Sequence, residues 1–181
     1  MLFQTLSYIG EKLNEENILW GVGASILLNH YDLVNNPNDI DILVALEDIH
    51  KADEILKSLG NKKTREANDS YSTEYFNEYV INGIDVDVMS GLTLNHEEGK
   101  YVQIFDEASI VDKMLVNDVK IPLTSLEDWY MIYQLIPGRE FKVSLIENYL
   151  LEKGVANPIL LQRALKCTLP SKVKERSEKL L

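Results

Sequence analysis

Leu2, Phe3, Leu6, Ile9 and Leu13 recur at three- and four-residue steps and predict an opening helix with one apolar face, ending at the polar run Asn14 to Asn17. Ile18 to Val22 is apolar and short, as a buried strand would be. Gly23 breaks it, and Ala24 to His30 predicts a helical turn or two. After the turn-rich Asn35 to Asn38, Asp39 to Val44 alternates acidic and apolar residues and then becomes fully apolar, a second strand with Asp39 and Asp41 on one face. Asp48 is placed to cap a helix whose stripe is Ile49, Ala52, Ile55, Leu56 and Leu59, with Gly60 as its stop.

Tyr71 to Ile81 is aromatic and β-prone, with Tyr71, Tyr75 and Tyr79 on one face. It meets Ile84 to Met89 across Asn82-Gly83, a strong hairpin signal. The second arm alternates, placing Asp85 and Asp87 on one face and apolar residues on the other. Val102 to Phe105 and Val119 to Leu123 predict further short strands, with a small helix between them around Ser109 to Leu115. From Thr124 the pattern is helical. Thr124 and Glu127 have capping-box spacing, and Leu126, Trp129, Tyr130, Tyr133 and Ile136 form the apolar face. Pro137-Gly138 ends that helix, a second runs from about Arg139 to Lys153, a third starts near Pro158, and Pro170 precedes a charged terminal segment. The division expected is an α/β core over residues 1–118 and a helical region over 119–181 packed on it.

Composition narrows the function classes. The 181 residues carry 29 Asp+Glu against 18 Lys+Arg, a net charge of −11, which argues against direct DNA or RNA binding because phosphate neutralisation needs clustered cations. Cationic or metal-bridged partners fit better. Cys167 is the single cysteine, so no intrachain disulfide is possible and no oxidising compartment is required. The N-terminus has no basic segment before an apolar one, and no window approaches a membrane span, so a cytoplasmic protein without membrane attachment is expected. The sequence leaves the oligomeric state open.

Three features converge on one chemistry: a glycine turn between strand and helix at Gly21 to Ser25, the carboxylate pair Asp39 and Asp41, and the pair Asp85 and Asp87. Aspartate is depleted from strands, yet four sit here between apolar residues that must face a core. Such acids can line a cleft. Hard Mg²⁺ takes carboxylate oxygens and the phosphates of a nucleotide, and two such ions require about three carboxylates with one shared.

With this order and spacing the sequence resembles the nucleotidyltransferase superfamily, which has the DNA polymerase β-like fold and includes small antibiotic nucleotidyltransferases. Gly23-Ala24-Ser25 matches the family's turn and Asp39-Ile40-Asp41 its Asp-x-Asp pair. Asp87 matches the third carboxylate, with Asp85 as its competitor. The segment Ile121 to Asp128 followed by Gly138-Arg139 resembles the helical continuation of lincosamide and aminoglycoside modifiers, and the likeness spans about residues 15 to 153. The resemblance implies an α+β fold, a mixed sheet flanked by helices with a C-terminal helical segment. It also implies transfer of a nucleoside monophosphate from ATP or another triphosphate to a hydroxyl of a small molecule, such as a cationic antibiotic, or of a protein. Asp39, Asp41 and Asp87 would be catalytic and, with Asp85, hold two Mg²⁺ ions. Gly23, Ala24, Ser25, Arg139 and Lys142 would bind the triphosphate.

The sequence departs from the family at three places. Ala24 stands where a second glycine or serine is usual, Asn35 to Asn38 replaces an arginine before the Asp-x-Asp pair, and Tyr133 and Gln134 stand near where a lysine is often found. Because fold alone does not establish activity, a catalytically decayed binding or regulatory module, for example a toxin-antitoxin type partner, is the alternative expectation. Three histidines, His30, His50 and His96, lack metal-ligand spacing, and Trp20 and Trp129 read as core.

Overall fold

A computed structural model describes residues 1–64 and 70–181. The opening helix α1 (Leu2–Glu15) is followed by β1 (Trp20–Val22), α2 (Ala24–His30), β2 (Ile40–Val44), α3 (Ile49–Leu59) and the short β3 (Asn61–Lys62). Then come β4 (Tyr75–Ile81), β5 (Ile84–Ser90), β6 (Thr93–His96), β7 (Gly99–Val102), a 3-10 turn (Glu107–Ser109), β8 (Asp112–Val116) and β9 (Val119–Leu123). Four helices complete the chain: α4 (Leu126–Leu135), α5 (Glu140–Lys153), α6 (Pro158–Leu165) and α7 (Ser171–Glu178). The fold is α+β. Seven strands form a mixed sheet in the order β3-β4-β5-β2-β1-β9-β8, and β6 and β7 pair separately.

Strand alternation decides what each face of the large sheet carries. Trp20, Ile42, Val86, Val88 and Tyr79 are buried on the face covered by α1 and α3. Asp41 and Asp87, the intervening positions, are register partners on the parallel strands β2 and β5 and point to the opposite face. There α4 is buried along almost its whole length, because α2, α5, α6 and α7 all pack around it. Trp20 and Trp129 are both core residues, as expected.

Several sequence expectations shift. The strand expected over Val119 to Leu123 is β9, which joins the sheet beside β1, so the large sheet continues beyond residue 118 and the all-helical part starts at Leu126. The small helix expected around Ser109 to Leu115 is replaced by the 3-10 turn and β8. Asn117 and Asp118, both at positive φ, form a tight turn that makes β8 and β9 a hairpin. The strand expected over Val102 to Phe105 ends at Val102, where pairing with β6 ends. Tyr71 precedes β4 and forms an isolated bridge to Leu94, so it does not share a strand face with Tyr75 and Tyr79.

The two cap assignments also change. Ser125 caps α4 by accepting from the Asp128 N–H, while the Thr124 hydroxyl donates to the Val22 carbonyl and buried Glu127 accepts from Asn157. Asp48 precedes α3 but accepts from the Leu19 N–H instead of capping the helix.

The C-terminal helices are tied to the core by a polar hub. Arg163 on α6 donates to both oxygens of Asp106, to the Ile104 carbonyl and to the Ser109 hydroxyl, and it lies 3.9 Å from Asp128 on α4. Asp128 is 2% exposed and one of its oxygens has no hydrogen-bond partner. Burial pushes its carboxyl up to about 6.

Candidate active site

Asp39, Asp41 and Asp87 line one pocket of about 140 Å³, together with Ala24, Arg139 and Lys142. Asp39 stands just before β2 and Asp41 one step inside it, while Asp87 lies beside Asp41 on β5. The Ser25 hydroxyl donates to Asp39 at 3.1 Å, joining the start of α2 to the carboxylates. Arg139 immediately precedes α5 and Lys142 lies in its first turn. Trp129, Ile132 and Tyr133 of α4 form the pocket floor, and Tyr71 and Phe76 flank it. Asp85 is exposed, forms an ion pair with Lys63 and does not line the pocket.

The glycine turn has a packing reason of its own. A Cβ on Gly23 would fall 2.1 Å from the Trp129 indole nitrogen, and the Gly23 N–H already donates to the Asp41 carbonyl at 3.0 Å. The turn therefore fixes the register of Asp41 directly, and the Gly23 N–H is not available to a phosphate. Ala24 follows at a φ of 47°, a left-handed backbone that alanine adopts at a cost. The same indole N–H donates to the Thr124 hydroxyl at 2.9 Å.

Burial first, and then the neighbouring charges of Asp39 and Asp87, raise Asp41 to about 7; Lys142 and Arg139 offset part of this. Burial and Arg139 lower the Lys142 ammonium, opposed by Asp41 and Asp39. Two cations at the start of a 14-residue helix sit at the positive end of its dipole, which disfavours them. An anion placed between them would be attracted by both. The carboxylates of the same pocket repel one another and would be relieved by a divalent cation, so the donor set fits oxygen-seeking Mg²⁺. Among the described residues, no three His, Cys, Asp or Glu side chains stand close enough to enclose an ion as they are.

A broader, shallow depression of about 630 Å³ lies between α1 and the β8–β9 hairpin, beside Asp112, Lys113 and Lys120. It contains none of the paired aspartates. Among the described residues, no helix is long and apolar enough to cross a membrane. Sequence reasoning missed the contribution of Trp129, Tyr133, Tyr71 and Phe76 to the pocket. The i, i+4 spacing of Trp129 and Tyr133 beside the Pro137-Gly138 turn was the available signal for the first two.

No family model matches the sequence, and no curated protein matches it. Solved structures do. TM1012 of Thermotoga maritima, to which a nucleotidyltransferase function has been ascribed, is 26% identical with a TM-score of 0.60, covering 84% of this chain and 96% of its own. The antibiotic-resistance factor ANT(2'')-Ia, in complex with adenylyl-2''-tobramycin, is 15% identical with a TM-score of 0.57, covering 89% of this chain and 95% of its own. The lincosamide antibiotic adenylyltransferase LnuA, bound to lincomycin, is 17% identical with a TM-score of 0.54, covering 80% and 95%. The paired aspartates, the glycine turn and these likenesses agree: the chain has the nucleotidyltransferase-like fold, shared with antibiotic-modifying members.

Proposed function

We propose that this protein is a Mg²⁺-dependent nucleotidyltransferase that moves a nucleoside monophosphate from ATP or another triphosphate onto a hydroxyl of a small-molecule or protein acceptor. The observation that carries this reading is one pocket lined by both kinds of charge: the carboxylates Asp39, Asp41 and Asp87 from the sheet side, and Arg139 and Lys142 from the start of α5. Carboxylates alone would repel a triphosphate, and cations alone would not hold a metal. Together they suit a phosphate chain accompanied by divalent ions.

Asp39, Asp41 and Asp87 would hold the two ions, which when bound supply positive charge to the phosphate oxygens as negative charge develops there. Arg139 and Lys142 would bind the outer phosphates, and Ser25, oriented by Asp39, would offer its hydroxyl to the same chain. The Ala24 and Ser25 backbone belongs to that triphosphate-binding turn, with Gly23 shaping it. Transfer forms a bond from the acceptor oxygen to the α-phosphorus and breaks the bond from that phosphorus to the bridging oxygen. Pyrophosphate leaves, and Asp87 takes the acceptor's proton. Asp85, paired with Lys63, stays outside this set.

The net charge of −11 favours a cationic small molecule over nucleic acid, and antibiotic adenylyltransferases among the structural neighbours support the same class. A triphosphate donor implies a cytoplasmic setting. Incubation with α-labelled ATP, Mg²⁺ and aminoglycoside or lincosamide acceptors is expected to transfer label and release pyrophosphate, and Asp41→Asn to abolish both. ATP binding that is indifferent to Mg²⁺ and to Asp41→Asn in calorimetry would remove the metal assignment.

One observation favours a second reading, a non-catalytic module on the same fold: no metal-enclosing cluster is preassembled among the described residues. Thermal stabilisation by ATP with Mg²⁺ separates the two, since the enzyme gains stability by mass action and such a module does not.

A further inference from the structure

The Lys142 ammonium sits in an unfavourable place. It is half-buried, next to Arg139, in the first turn of α5, and among the described residues it makes no ion pair within 4.0 Å. A lysine side chain so placed gains by swinging outward into water, and holding it inward costs side-chain entropy as well. What holds it is Tyr133. The tyrosine hydroxyl accepts from Lys142 Nζ at 3.3 Å, and the ammonium stands 5.0 Å from the centre of the tyrosine ring. Tyr133 is itself immobile, being 3% exposed and packed against Trp129 with ring centres 5.2 Å apart. Trp129 in turn rests on Gly23 and is pinned by Thr124.

We propose that Tyr133 is a positioning residue that holds the Lys142 ammonium over the carboxylate pocket, and that this contact sets the affinity of the site for polyphosphate. The proposal rests on the reading of Lys142 as a phosphate ligand. The rigid path Gly23–Trp129–Tyr133–Lys142 makes the cation wall part of the same packed unit as the turn that registers Asp41. Preorganising a cation in this way avoids its ordering cost when the anion binds.

The test uses the full chain and sodium tripolyphosphate with Mg²⁺ as the probe. Lys142→Met is expected to weaken binding in calorimetry by roughly tenfold or more, and Tyr133→Phe, which keeps the ring but loses the acceptor, by roughly three- to tenfold. Tyr133→Leu, which loses both contacts, should be weaker again. In the Lys142→Met background, Tyr133→Phe should change affinity by less than about twofold, because the residue it positions is gone. Equal losses in both backgrounds would make Tyr133 a merely structural residue and overturn the proposal.

An independent readout needs no ligand. In protein labelled with ¹³C-lysine, the ε-methylene resonance that disappears in Lys142→Met should be shifted upfield by the Tyr133 ring. It should stay displaced in Tyr133→Phe and move to the exposed-lysine position in Tyr133→Leu. A resonance that ignores Tyr133→Leu would overturn the contact. Failure of the parent protein to bind tripolyphosphate, with the resonance behaving as expected, would instead locate the error in the phosphate reading.

Discussion

Asp41 and Asp87 face the same way from adjacent parallel strands, one residue opposite the other, and their charges meet in a partly buried pocket with Asp39. Burial chiefly, and these neighbours next, lift Asp41 from 3.8 to about 7. Because the folded value is the higher, its stabilising contribution is complete below about pH 4 and is lost as the pH rises through about 7. In metal-free protein, Asp41→Asn is expected to leave stability near the parent's at about pH 3.5, below the ordinary carboxylate value. At pH 8 it should raise stability by about 1–3 kcal/mol. Urea titrations at the two pH values check this, and coincident curves at pH 8 would contradict it.

Gly23 has no room for a side chain, since an added Cβ would fall inside the Trp129 indole. Gly23→Ala is expected to destabilise the fold by about 2–3 kcal/mol through overpacking. Combining it with Trp129→Leu should show strong non-additivity, because the smaller side chain removes the clash. Strictly additive losses in chemical denaturation would point away from this contact.

Ala24 bears a left-handed backbone where a residue without a Cβ is unstrained. Ala24→Gly is therefore expected to stabilise the protein by about 0.5–1 kcal/mol. A lower melting temperature in calorimetry would show that the strain is offset by contacts of the alanine methyl.

Asp53 on α3 accepts from Lys57, from Lys62 and from the Tyr79 hydroxyl. Burial pushes this carboxyl up, but the three donors outweigh it and leave it at about 2. The folded value is now the lower, so the contribution is present above about pH 4 and disappears as the pH falls through about 2. Asp53→Asn is expected to cost about 1–2 kcal/mol at pH 7 and to flatten the acid limb between pH 4 and 2. An unchanged acid limb would sink this assignment.

The chain was most legible where pattern and chemistry coincide. Period two placed Asp39 with Asp41 and Asp85 with Asp87 on common faces, and the Asn82-Gly83 turn gave the hairpin that carries the second pair. Nothing in the sequence separated Asp85 from Asp87. The distinction is one of position along β5, where Asp87 lies level with Asp41 while Asp85 lies opposite Val80 and within reach of Lys63. Long-range pairing also hid the β8–β9 hairpin, whose first strand has too little alternation to be told from a short helix. The role of Thr124 was misread for a similar reason: its local spacing suited a cap, but the Val22 carbonyl and the Trp129 indole, both supplied by tertiary packing, claim its hydroxyl.

Arg163 has a practical consequence for anyone shortening this protein. A fragment ending before α6 would retain every aspartate of the pocket and all nine strands found among the described residues, and so would look sufficient on paper. It would also strip the guanidinium from Asp106, Ser109 and the vicinity of the enclosed Asp128, and uncover the parts of α4 that α6 and α7 pack against. Since α4 lines the pocket, a shortened chain that keeps the pocket's packing needs at least Arg163 and the helix that bears it.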